Sequence, residues 1–332
     1  MSTSGTEPGV RRTIIGIDVG GTKTAVVEGT RQAQIMQRYE MPTEARRPFD
    51  ATFPQVVSLV ERALEEAMRA GHVVGAISVS VGGPLRIREG VLIDPPHLPG
   101  WHGVRLKDRL EEHFPGYPIC IEHDGNAGAL AEFRFGIGRR RRDLRHLIFL
   151  TFGTGLGAGL IINGQVLHGA SDTAGEVGHW RLARDGPIGF GKAGSWEGFA
   201  SGAGLVHLAR ELFPARWTSE TPISDLVDAM LANDEDALAV AREVGTWMGR
   251  GMALLIDALN PQVIVLGSLA VALGERVLGS ARQALAEEAL PQAVAACEIV
   301  PSVLGKRIGD VAALMAALND PLIAKTLEQE GT

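Results

Sequence analysis

The chain has 332 residues, of which 45% are hydrophobic and 21% charged, and this length and composition predict more than one folded domain. Its net charge of −7 argues against nucleic acid or an anionic membrane as the main partner, because such partners demand a positive surface. The two cysteines are too few for a disulfide framework and predict a reducing cytoplasm. Residues 1–12 are polar and predict a flexible tail without a secretory signal.

Each half of the chain begins with an apolar run that is followed by a glycine turn and a second apolar run. Residues 13–18 precede Gly20 and Gly21, and a second β-prone run follows at 24–27. Residues 146–152 precede a turn at 153–157, and an apolar run at 158–162 follows. The matched layout predicts a duplicated lobe.

The remaining segments alternate between strand and helix patterns, which indicates an α/β protein. Strands are predicted at 73–81, 118–122, 263–266 and 298–303. Helices are predicted at 53–70, 125–133, 238–259, 273–290 and 311–318.

The first glycine turn has the chemistry of a phosphate loop. Its glycines let backbone amides approach an anion, Thr22 offers a hydroxyl, and Asp18 can hold a metal-bound water near phosphates. We therefore predict phosphate binding by Asp18, Gly20, Gly21, Thr22 and Lys23. A plain hairpin turn is the alternative.

The second glycine turn predicts another phosphate loop, formed by Gly153, Thr154 and Gly155. A strand pattern follows this turn, whereas a dinucleotide-binding loop leads into a helix. We therefore do not expect Rossmann-type binding.

These turns, the segment 122–126 (EHDGN) and the segment 174–179 (AGEVGH) resemble motifs of the ROK family of sugar kinases and transcriptional repressors, over about residues 13–318. The resemblance implies an α/β fold of two actin-like (ribonuclease H-like) lobes, each a mixed β-sheet flanked by helices, with an active-site cleft between the lobes. It implies an N-terminal lobe at 13–123, completed by a C-terminal helix at 310–332, and a C-terminal lobe at 124–309.

The resemblance implies ATP-dependent phosphorylation of a hexose or amino sugar, with Mg²⁺ bound to ATP and Asp124 as the general base. It also places Gly267 near the adenosine. The sugar-binding residues that it implies are Gly83, His97, His123, Asp124, Glu176, His179 and Glu197. The residues alone favour a helix N-cap for Asp124 and a structural role for His179, and it is the company of the two glycine turns that favours the base at Asp124.

The chain departs from the family at a zinc site that many relatives build from three cysteines. Ile188, Phe190 and Ser195 stand at those positions, so we expect no zinc, and we expect Phe190 and Trp196 to hold the loop 186–194 by packing. His97 and His123 replace two asparagines that are usual in the sugar pocket.

The alternative function is a catalytically inactive sugar sensor of the same family. Repressors of the family carry a helix-turn-helix domain before the first phosphate loop, whereas here about a dozen polar residues precede it, so we expect no DNA binding. The arginine run at 139–142 is compatible with the binding of an anion and also with a solvated loop. By analogy with relatives, we expect a homodimer or homotetramer.

Overall fold

The computed structural model describes residues 11–328, which divide into two units. Unit 1 contains the residues up to Ala131 and those from Gly309 onward, and unit 2 is Glu132–Ile308. The sequence placed the first boundary between 123 and 124. It lies later because the helix that begins at Asp124 continues directly from a strand of unit 1.

Unit 1 is built on one sheet, and its first part runs in chain order as follows: β1 (Arg12–Val19), β2 (Lys23–Gly29), β3 (Ile35–Pro42), α1 (Phe49–Arg69), β4 (Val73–Val81), β5 (Leu85–Arg86), β6 (Val91–Leu92), α2 (Leu106–His113), β7 (Ile119–His123) and α3 (Asp124–Phe135). The sheet has the order β3-β2-β1-β4-β7. Strands β1, β2 and β3 are antiparallel neighbours, whereas β4 is parallel to β1 and to β7.

The parallel strands determine where functional residues meet. Asp18 of β1 lies beside Ser80 of β4, which in turn lies beside Glu122 of β7. Because the carboxyl ends of parallel strands lie at one edge of a sheet, the segments that follow β1, β4 and β7 all begin there.

Unit 2 contains a second sheet within the following elements: β8 (Leu147–Leu150), β9 (Ala158–Ile162), β10 (Gln165–Val166), β11 (Ile188–Gly189), β12 (Lys192–Ala193), α4 (Trp196–Phe199), α5 (Gly202–Leu212), α6 (Ile223–Leu231), α7 (Glu235–Leu259), β13 (Val263–Leu266), α8 (Ser268–Leu273), α9 (Glu275–Glu288), α10 (Pro291–Ala296) and β14 (Glu298–Pro301). The chain then ends with α11 (Ile308–Ala312), α12 (Met315–Asn319) and α13 (Pro321–Glu328).

The second sheet repeats the layout of the first. Its order is β10-β9-β8-β13-β14, with two antiparallel pairings followed by two parallel ones. Each unit is thus a mixed sheet flanked by helices, and the predicted fold class is confirmed.

Most predicted elements are present, and the differences have local causes. Helix α1 begins before the predicted residue 53, because Phe49 stacks on Phe53 with ring centroids 4.6 Å apart and both rings are buried. Strand β3 was not predicted, since its side chains are mostly half-exposed and polar. Arg12, placed in the tail, pairs with Val73 in the sheet, and residues 1–10 lie outside the described part of the chain.

The predicted helix at 311–318 is split in two where it packs against the sheet of unit 1. A side chain on Gly16 or Gly29 of the sheet would lie within 3 Å of Ala313 and Leu314, respectively. The break between α11 and α12 brings these two residues against the glycines. The predicted C-terminal helix at 310–332 is thus three short helices up to Glu328, and residues 329–332 lie beyond the described chain. No helix among residues 11–328 combines the length and the apolarity that a membrane span requires.

Aromatic stacking and a helix cap hold the loop 186–194 of unit 2. The Phe190 ring stacks on His179 with centroids 3.7 Å apart, and Trp196 stacks on Trp180 at 5.7 Å. The Ser195 hydroxyl accepts a hydrogen bond from Gly198 N–H at 3.1 Å and so caps α4. Ile188, in contrast, is 72% exposed. The side chains of Ile188, Phe190 and Ser195 supply apolar and hydroxyl groups, which are not the ligands that zinc prefers.

We predict that Phe190→Ala destabilises this loop. Removing the ring deletes its stacking on His179, which corresponds to about 1–2 kcal/mol. Hydrogen exchange of residues 186–194 should accelerate and thermal unfolding should shift downward by a few degrees. Ile188→Ala is the matched control, because its exposed side chain contributes little. Equal exchange in both variants would contradict the assignment.

Candidate functional site

The first glycine turn joins β1 to β2 and is tightly closed. Gly20 N–H donates to Lys23 C=O at 3.0 Å. A Cβ added to Gly21 would lie 2.9 Å from the carbonyl oxygen of His97, so only glycine fits there without a shift. Thr22 and Lys23 are exposed, and Lys23 Nζ lies 3.0 Å from a Glu40 carboxylate oxygen. The turn therefore presents backbone amides, a hydroxyl and an ammonium group.

Asp18 lies in a strongly acidic environment at the end of β1. The pKa of Asp18 is raised to about 7, mainly by burial and also by the nearby carboxylates of Asp124 and Asp310, whereas a hydrogen bond with Ser80 and the charge of Lys23 act in the opposite direction. The negative charges of Asp124 and Asp310 would also favour a cation beside Asp18. The group can thus be a proton carrier in the free protein and a carboxylate ligand when a cation is present.

Asp124 is the first residue of α3, at the same sheet edge as the glycine turn. Its side chain is 43% exposed, and its Oδ1 lies 3.4 Å from His123 Nδ1. Oδ1 accepts from the next amide, Gly125 N–H, at 2.7 Å, whereas an N-cap side chain accepts from an amide two or three residues on. The carboxylate is therefore accessible to a substrate and is not used as an N-cap.

A buried network fixes the segment around Asp124. Glu122 Oε1 accepts hydrogen bonds from His123 N–H at 2.9 Å and from Asn126 Nδ2 at 3.0 Å. Gly125 N–H also lies 3.2 Å from His123 Nδ1, so this amide contacts one nitrogen of the ring, and Nε2 is the other. A Cβ on Gly83 would lie 2.8 Å from that Nε2, so the imidazole occupies the space that a side chain at 83 would need.

The second glycine turn, in unit 2, is held by one side chain that precedes it and by one from later in the chain. Leu156 N–H donates to a Glu197 carboxylate oxygen at 2.9 Å, and Gly157 N–H donates to the Thr151 hydroxyl at 2.9 Å. A Cβ on Gly267 would lie 2.6 Å from the carbonyl oxygen of Thr151. The structure thus brings together Glu197, Gly267 and the turn, and it leaves Thr154 exposed.

Glu176 and His179 lie on a short 3-10 turn, which has the helical character predicted for this pair. Burial lowers the pKa of His179, and the Lys192 ammonium lowers it further, so the ring is neutral at pH 7 and both donates and accepts hydrogen bonds. A Cβ on Gly178 would lie 2.2 Å from Leu156 C=O, so this turn packs on the second glycine turn.

The predicted site residues are therefore clustered within each unit. Unit 1 brings together Asp18, Gly20, Gly21, Thr22, Lys23, Gly83, His97, His123 and Asp124. Unit 2 brings together Gly153, Thr154, Gly155, Glu176, His179, Glu197 and Gly267. Among residues 11–328, no three His, Cys, Asp or Glu side chains are grouped so that they could hold a metal ion.

The sequence patterns did not indicate three residues that lie beside Asp18 or the first glycine turn. A Cβ on Gly309 would lie 2.6 Å from a carboxylate oxygen of Asp18, and Asp310 contributes to the pKa of Asp18. The Thr43 hydroxyl donates a hydrogen bond to Gly20 C=O in this turn. The only sequence signal for these contacts is the glycine before Asp310, since Thr43 stands in no motif.

Similar proteins of known activity include both enzymes and regulators. The chain is 28% identical over 310 residues to a glucokinase of Halalkalibacterium halodurans, covering 90% of this chain and 92% of the relative. It is also 27% identical to the xylose repressor of Bacillus spizizenii, covering 88% of this chain and 73% of the repressor.

Among solved structures, a ROK family glucokinase from Streptomyces griseus in complex with glucose and AMPPNP is 28% identical, with a TM-score of 0.76 over 91% of this chain and 97% of that chain. The model of the ROK family matches residues 14–319. Since this match spans nearly the whole of both units, the chain belongs to the ROK family.

Proposed function

We propose that the protein is an ATP-dependent kinase of a hexose or amino sugar, with Asp124 as the general base. One observation carries the proposal: a solvent-accessible carboxylate at the start of α3 lies at the same sheet edge as the glycine turn after β1. A phosphoryl transfer enzyme needs a base for the acceptor hydroxyl and a cradle for the phosphates.

Asp124 would accept the proton of the sugar hydroxyl as that oxygen attacks the γ-phosphoryl group of ATP. The bond between the γ-phosphorus and the bridging oxygen breaks, and ADP leaves. His123 and the Glu122 network hold the start of α3 in position, so the carboxylate is placed before the substrate arrives.

Asp18 is the residue that suits the Mg²⁺ bound to ATP. Its carboxylate lies near those of Asp124 and Asp310, and a divalent cation would offset their mutual repulsion. Magnesium neutralises phosphate charge when it is bound, and the amide of Gly21 with the backbone and ammonium group of Lys23 would complete the cradle.

Sugar recognition in this proposal uses the side chains that the family resemblance implies. His179 is a neutral imidazole that can donate and accept hydrogen bonds, and the carboxylates of Glu176 and Glu197 can accept them from hydroxyls. In unit 1, Gly83 leaves space for the ring of His123, and His97 borders the glycine turn. Gly267 would border the adenosine.

A sugar sensor without turnover is the second candidate, because xylose repressors are among the similar proteins. The two candidates make opposite predictions for catalysis. The purified protein with Mg-ATP should release ADP when glucose, fructose, mannose, N-acetylglucosamine or N-acetylmannosamine is supplied. If none of these sugars raises ADP release above the sugar-free rate while one of them still binds, the sensor is supported.

Asp124→Asn should lower turnover about 100-fold or more, because the amide cannot accept the hydroxyl proton. The affinity for the sugar, measured by calorimetry without nucleotide, should change little. Asp50→Asn, at a 76% exposed carboxylate in the same unit, is the control and should keep full turnover. Near wild-type turnover in Asp124→Asn would remove this residue as the base.

Asp18→Asn should make the free protein more stable at pH 8. The raised pKa means that native Asp18 holds a proton between about pH 4 and 7 that the unfolded chain has lost, so wild-type stability falls as the pH rises through this range. The uncharged amide avoids this cost, which is on the order of 2 kcal/mol. Thermal unfolding of the variant and the wild type should differ at pH 8 and converge near pH 4. A variant that melts below the wild type at pH 8 would contradict the environment described for Asp18.

A further inference from the structure

A threonine after β3 contacts the first glycine turn at three points. Thr43 is fully buried, and its N–H donates to Thr22 C=O at 3.0 Å. Its hydroxyl donates to Gly20 C=O at 2.7 Å and lies 2.8 Å from the hydroxyl of Thr24, which is also fully buried. One side chain thus joins both ends of the turn, and no motif assigns it a role.

The direction of these hydrogen bonds follows from the number of protons. A carbonyl oxygen can only accept, so the single hydroxyl proton of Thr43 points to Gly20. The bond between the two hydroxyls must then run from Thr24 to Thr43. In this relay Thr24 donates to Thr43 and Thr43 donates to Gly20 C=O, so both hydroxyl protons have an acceptor.

The relay also orients the amides of the turn. In a planar trans peptide the C=O and the following N–H point in opposite directions. Since Gly20 C=O and Thr22 C=O both point toward Thr43, the N–H groups of Gly21 and Lys23 point away from it. Within residues 11–328, no group accepts a hydrogen bond from Gly21 N–H.

The backbone of His97 supports the turn independently of Thr43. The space beside the Cα of Gly21 is closed by the carbonyl oxygen of His97, which would lie 2.9 Å from an added Cβ. Gly21 is therefore restrained by the packing of His97 and by the peptide that Thr43 binds. The turn keeps one peptide orientation without any bound ligand.

We propose that Thr43 is a positioning residue that aims the amides of Gly21 and Lys23 at a nucleotide phosphate. The inference rests on the proposed function, since it assumes a nucleotide. It adds a residue that contacts no substrate and acts through the peptides on either side of Gly21. Loss of its hydroxyl leaves Gly20 C=O without its partner and frees the peptide to rotate.

The test compares Thr43→Val, which keeps the shape and loses the hydroxyl, with Thr43→Ser, which keeps the hydroxyl. Calorimetric titration with Mg-AMPPNP in the absence of sugar should show about tenfold weaker binding for Thr43→Val and near wild-type binding for Thr43→Ser. The KM for ATP should rise in the same proportion, with a smaller change in kcat. Thr52→Val is the matched control, because Thr52 is also fully buried in unit 1 and its hydroxyl donates to Phe49 C=O at 3.1 Å.

The outcomes separate this inference from the proposed function. If the wild type binds Mg-AMPPNP and Thr43→Val binds it equally well, the positioning role is wrong and the kinase proposal stands. If the wild type does not bind Mg-AMPPNP, both are wrong. Should Thr43→Val not fold, Thr43→Ala also removes the hydroxyl, and wild-type affinity in that variant would equally overturn the role of Thr43.

Discussion

The parallel pairing of β1, β4 and β7 is the constraint on which the site in unit 1 depends. Because these strands run in the same direction in register, the glycine turn after β1, Gly82 and Gly83 after β4, and Asp124 after β7 emerge at one edge. No side-chain interaction is needed to bring them together. The hydrogen bonds of the sheet place the Asp124 carboxylate and the first glycine turn at the same edge, where buried polar groups of Glu122 and Thr43 contact the adjoining backbone.

The concentration of carboxylates at this edge has a cost in stability. Burial and like charge raise the pKa of Asp18 to about 7, so the native protein holds this group partly protonated at neutral pH. Such strain is expected where a protein prepares a site for a cation, because the charge that destabilises the free protein favours the bound form. A cation beside Asp18 would therefore relieve electrostatic repulsion at this edge of unit 1.

In unit 2, aromatic stacking and a helix cap hold the loop 186–194. The predicted absence of zinc depended on three positions, and in the structure Phe190 stacks on His179, Ser195 caps α4 and Ile188 is exposed. The stack covers one face of the imidazole and, with burial and Lys192, keeps the ring neutral. A Glu197 carboxylate oxygen accepts from Leu156 N–H, so the second glycine turn restrains the orientation of this side chain.

The sequence by itself determined the α/β class, the two glycine turns and the junction at Asp124, because apolar runs ending in glycine are local patterns. It did not indicate β3, whose polar, half-exposed residues lack a strand pattern, or the break at Ala313 and Leu314, which depends on glycines about 300 residues earlier. The contacts of Thr43, Gly309 and Asp310 were likewise decided by tertiary structure alone. Hydrogen bonds and charge interactions between distant segments leave no periodic trace in the chain, so only the folded arrangement reveals them.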